Sequence, residues 1–151
     1  MLALAGAALL VISDVLPLYA VVVGTPGEEV RSVAGWSVHA FAMLLFGAAA
    51  VPMALGALRG ARPAMAALVA LGVVAVVIVL TVDLPAARQA GELREAVTFE
   101  DARAEPRLGF FLATLGGVAL LGAGGGLLLA GRGAPPRERR RERDGALADA
   151  P

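Results

Sequence analysis

An aspartate, Asp14, interrupts one apolar run of the sequence, and the single histidine, His39, lies near the start of the next. A carboxyl and an imidazole are side chains suited to holding or passing a proton near neutral pH. An ionised Asp at the centre of a membrane helix costs about 2.5–3.5 kcal/mol on insertion scales. It is tolerated where the carboxyl stays protonated or faces a polar partner. Helical spacing puts Ala3, Ala7 and Pro17 near the Asp14 face, and small residues favour close helix contact, so Asp14 is expected to point inward. If the first helix ends near Tyr19, an Asp14–His39 pair is allowed; if it runs on to Val23, the pair is strained. The pair then reads as a proton-linked site or ion path, or as a structural polar contact.

Other chemistries lack their residues. Cys is absent, so there is no disulfide, thiolate metal site or thiol nucleophile. One His makes no metal-ligand cluster. Ser13, Ser32 and Ser37 have no plausible triad partners, and the glycines at 122–126 lie inside an apolar run rather than in a phosphate loop. The remaining carboxylates fall in polar connections. The sequence is therefore expected to be non-enzymatic, with no cofactor and no metal. Thirteen basic residues, all Arg, balance thirteen acids, so no global field attracts nucleic acid.

The elements that position these residues are apolar. Of 151 residues, 58% are hydrophobic, above the roughly 45–50% of soluble domains. They gather into four runs near the roughly 20 residues needed to cross a bilayer, at about 2–23, 36–58, 64–82 and 108–130. The Val-rich third run resembles a buried strand, but its length favours a spanning helix. The first run lacks a basic flank and contains Asp14, which favours an uncleaved helix over a signal peptide. The expected fold class is all-α: an integral membrane four-helix bundle over residues 1–130.

Arginine placement gives the orientation. The 59–63 turn and the segment after Ala130 hold eight Arg, and the 24–35 and 83–107 loops hold five, which puts both termini in the cytoplasm. Tyr19 and Trp36 then serve as anchors at the outer interface, where amphipathic rings are favoured. The expected partners are the lipid bilayer and a membrane-protein partner or a second copy, at the cell membrane.

The 24–35 loop contains Thr25-Pro26-Gly27 between β-branched residues, which allows either a hairpin pairing 19–23 with about 30–34 or an irregular loop. In the 83–107 loop, helix formers over 86–97 and a Thr98/Asp101 capping pattern predict one or two short helices, giving a small outer cap. Residues 131–151 are Gly, Pro and charge, and are expected to form a disordered Arg-rich cytoplasmic tail. On the last helix, Gly109, Ala113 and Gly117 form a small-residue ridge, with Gly122 and Gly126 as a further pair, together a candidate helix-packing face. Pro52 predicts a kink in the second helix.

Leu16-Pro17-Leu18-Tyr19 closing the first run and Gly109-Phe110-Phe111-Leu112-Ala113 opening the last resemble small four-helix integral membrane proteins of high-GC bacteria. In those proteins the first stretch often reads Leu-Pro-Trp-Tyr. The resemblance implies the four-helix layout and no activity. The leading expectation is a non-catalytic plasma-membrane protein with a structural or accessory role. The alternative is a small transport or proton-linked component using Asp14 and His39.

Overall fold

The computed structural model describes residues 1–23, 27–90 and 102–131. It is mostly helical, with a small three-stranded sheet at one end. In chain order the elements are α1 (Leu2–Val15), β1 (Pro17–Val23), β2 (Glu28–Ala34), α2 (Gly35–His39), α3 (Ala42–Leu58) and α4 (Arg62–Ile78). A π-helical turn (Val79–Asp83), α5 (Leu84–Ala86), β3 (Ala102–Pro106) and α6 (Leu108–Ala130) complete the chain. The expected disordered tail lies outside the described residues, apart from Gly131.

The last run forms α6 over the expected range. The other three depart from their expected bounds, each for a local reason. The first helix stops at Val15 rather than continuing to 23. Pro17 disfavours helix at Leu16, which turns to φ −83° and ψ 158°, and the β-branched residues beyond enter a strand. The second run is broken: Ala40 and Phe41 adopt left-handed backbone, at φ 48° and 66°, between α2 and α3. Pro52 lies inside α3 without ending it. The third run is longer than expected, and α4 continues through the π turn into α5. Pro85 has no N–H and its ring crowds the carbonyl four residues earlier, so the widened turn fits just ahead of it.

The described part of the cap is a three-stranded sheet. Strand order is β2-β1-β3, antiparallel throughout. The hairpin alternative is the one adopted, with Tyr19 opposite Val33 and Val23 opposite Glu28. The short helices expected over 86–97 fall mostly outside the described residues, and the described part, 87–90, is a turn leading to a bridge. There Ala90 bridges Arg103, and Gln89 O accepts from Ala104 N–H at 2.8 Å. The Thr98/Asp101 pattern lies outside the described residues, and strand β3 follows it. Leu18, Ala20 and Val22, at the two-residue strand period, are buried along β1. The outer edge strand β2 is exposed and carries Glu28, Glu29 and Arg31, charges that discourage edge-to-edge pairing.

Among the helices, small residues face inward. Ala3, Ala7, Ala50, Ala54, Ala75 and Ala113 are buried, with Leu10, Met43, Leu68 and Leu120 filling between them. Two glycines set the spacing. A Cβ on Gly47 would lie 2.6 Å from Ala7 O, and one on Gly72 would lie 2.6 Å from Leu121 N, so neither site accepts a side chain without backbone movement. Large aliphatic residues face outward, among them Leu45, Val51, Leu55, Val73, Val77, Leu115 and Val118.

Arg62–Ala86 and Leu108–Ala130 are long and apolar enough to cross a bilayer by length and composition, while Leu2–Val15 and Ala42–Leu58 are apolar but shorter. Only 28% and 33% of the apolar windows of the two long helices are buried, whereas a core helix of a soluble protein would be mostly covered.

Candidate functional site

Three ionisable side chains are buried beneath the cap. Asp14 comes from the last turn of α1, His39 from the end of α2, and Asp83 from the end of the π turn. Asp14 is 1% exposed and Asp83 is fully buried, while the His39 side chain is 5% exposed. His39 Nε2 lies 2.9 Å from Asp83 Oδ1, so the histidine's direct partner is Asp83 rather than the Asp14 expected from the sequence. The contact is close but does not complete a hydrogen bond of good geometry. Asp14 also interacts with His39, and with the backbone N–H of Leu44, yet neither of its oxygens completes a hydrogen bond.

Backbone irregularities bring these groups together. The left-handed pair at Ala40 and Phe41 ends α2 immediately after His39 and starts α3 in a new direction. It leaves the first N–H groups of α3 without a side-chain cap from Phe41. Leu44 is at the third position of that helix, so the Asp14 carboxyl stands where an N-terminal anion is favoured by the helix dipole. Gly35 allows the approach of α2 to α1: a Cβ there would sit 3.0 Å from Asp14 Cα and from Ser13 O. Ser13 is buried beside Asp14 but donates to Leu10 O at 2.7 Å, so its hydroxyl is already engaged.

Asp83 escaped the sequence reading, which placed it among the solvated acids of the outer loop. A usable signal was present. Met65, Leu68, Gly72, Ala75 and Val79 are the buried face of α4 and its extension, and Asp83 continues that spacing by four. Among the described residues, no group of three or more His, Asp or Glu is arranged to hold a metal ion. The cluster can hold and share protons, and it can tie three elements together.

The other singled-out residues separate into two groups. Gly109, Ala113 and Gly117 are buried within the chain: Gly109 lies against the Pro17 backbone, and Gly117 against Val76, Ala75 and Gly72. Gly122 and Gly126 face open space. Gly116 and Gly124, which the four-residue ridge does not include, supply further close contacts, to Gly6 and Met65. Tyr19 is in β1, and Trp36 is exposed on α2, its ring stacked on Phe41 at 5.9 Å between centroids.

No protein-family model matches the sequence, and no curated protein or solved structure is similar to it.

Proposed function

We propose that the chain is a multi-pass plasma-membrane protein, crossing four times with both termini cytoplasmic, and that its role is non-catalytic. Helix packing and the outer sheet carry that role, through a membrane partner or a second copy. The observation behind this reading is that most large aliphatic residues of the helices face outward, while glycine and alanine make up much of the inward face, with a few large side chains between them. Lipid has no preference between a Leu and another lipid tail, so membrane helices associate through small residues. In water, so large a continuous apolar surface would drive aggregation. The short α1 is continued by a buried strand, and the broken second run gains length from α2, so each reaches the level of the cap.

The absence of native Cys makes the topology testable by single-cysteine labelling. Ser32→Cys on the cap should react with an impermeant maleimide in intact cells, and Ala61→Cys in the α3–α4 turn only after lysis. The opposite pattern inverts the proposed topology. Equal labelling of both in intact cells, or release of the wild-type chain from membranes by alkaline carbonate, removes the membrane reading.

A second reading is favoured by the Asp14–His39–Asp83 cluster. Buried ionisable residues in a membrane bundle mark proton and ion pathways more often than chance packing, and π turns and breaks in membrane helices are frequent at such sites. On this reading the protein is a proton-linked component. Asp14→Asn should abolish a pH-dependent flux in proteoliposomes while the fold persists. No wild-type flux above that of empty liposomes contradicts it.

A further inference from the structure

We propose that Asp14, His39 and Asp83 form a two-proton site, with Asp14 held as the neutral acid and His39 as an imidazolium paired with Asp83. This deepens the second reading of the cluster and rests on it. With no proton bound, two carboxylates and an imidazole carry two negative charges. Two protons make the set neutral, and a closed apolar site strongly favours neutrality.

Among the described residues, no other charged side chain is buried with the cluster. Helices α3 and α6 contain no ionisable residue, α1 contains only Asp14, and β1 contains only Tyr19. From Arg62 to Ala86 the ionisable residues are Arg62, at the opposite end, and Asp83. Glu28, Glu29 and Arg31 lie on exposed β2, and Arg88 and Arg103 are exposed on the cap, with Glu105 and Arg107 half-buried. Arg103 is paired with Glu105, and Arg107 with Glu29.

The two carboxyls are not equivalent. Asp83 has the imidazole at 2.9 Å, whereas both Asp14 oxygens lack a completed hydrogen bond. One backbone N–H, that of Leu44, faces Asp14, and a single dipole does not neutralise a full charge in an apolar site. The second proton therefore belongs on Asp14. Two protonation states differ by one proton on this carboxyl, so the site exchanges a single proton without a metal or cofactor.

The test uses the full-length protein in lipid vesicles at neutral pH. Infrared spectroscopy should show the carbonyl stretch of a buried, protonated carboxyl. Asp14→Glu should shift that band and Asp14→Asn should remove it, while Asp83→Glu leaves its frequency unchanged. His39 is the only histidine, so its ring ¹⁵N signals are unambiguous, and they should report imidazolium in the wild type and in Asp14→Asn. Absence of the band in the wild type, a band that shifts with Asp83→Glu instead, or a neutral wild-type His39 overturns the assignment. The two wild-type measurements decide the matter even if a variant misfolds. Failure of this assignment leaves the flux measurement to judge the second reading by itself.

Discussion

Helix α6 and the cap ends of the other three helical runs obey different rules. Over Leu108–Ala130 the chain carries no ionisable side chain and stays one regular helix. At the cap ends, α1 stops one residue after Asp14, the second run breaks immediately after His39, and the third passes through a π turn that finishes on Asp83. Each irregularity coincides with an ionisable residue; His39 contacts Asp83 and interacts electrostatically with Asp14. Regular helix is the default where the faces are apolar. The backbone departs from it where polar groups must be brought together.

This contrast can be broken most forcefully at Asp83. Removing one member of a buried charged pair leaves the other uncompensated and typically costs about 3–5 kcal/mol. Asp83→Ala should therefore lower the unfolding free energy in detergent by about that amount. A cost no larger than that of an exposed α6 substitution such as Leu115→Ala would make the cap end energetically ordinary.

Within the regular region the contrast is between faces. Gly72→Leu forces a side chain against the α6 backbone and should destabilise by about 1–3 kcal/mol or more. Gly122→Leu enters open space and should change monomer stability by less than about 0.5 kcal/mol. If this face holds a partner or second copy, oligomer size in native gels should fall in Gly122→Leu without loss of fold.

At the helix break, Ala40→Gly should stabilise by about 1 kcal/mol, because glycine adopts positive φ without the steric cost an alanine pays. A loss of stability would mean that the break is not strained. The smallest effect belongs to the cap. The Glu29–Arg107 pair, at 2.7 Å, is partly solvent-exposed on both sides, so Glu29→Gln should shift the melting free energy by less than about 1 kcal/mol, and less again in high salt.

Much of the helical layout was legible in hydropathy alone, because length and apolar content determine where long helices run. The bounds of α6 and the small-residue contacts at Gly109, Ala113 and Gly117 follow from that pattern. The hairpin was legible as one of two options from Pro17, the Thr25-Pro26-Gly27 turn and the valines. The third strand was hidden because Ala102–Pro106 has little β preference by itself and forms by pairing with β1. The break at Ala40 and Phe41 has no sequence signature, since neither residue favours left-handed backbone. Asp83 was misplaced because a charge at the end of an apolar run marks a boundary in a hydropathy scan, while helical spacing from Val79 would have kept it on the inward face.

The outward-facing aliphatic residues decide whether lipid surrounds these helices. Spin labels at Val74→Cys and Leu115→Cys, in vesicles, should collide frequently with oxygen and rarely with a water-soluble nickel chelate, while Ser32→Cys shows the reverse. Ready access of the nickel chelate to positions 74 and 115 would contradict a membrane-embedded bundle.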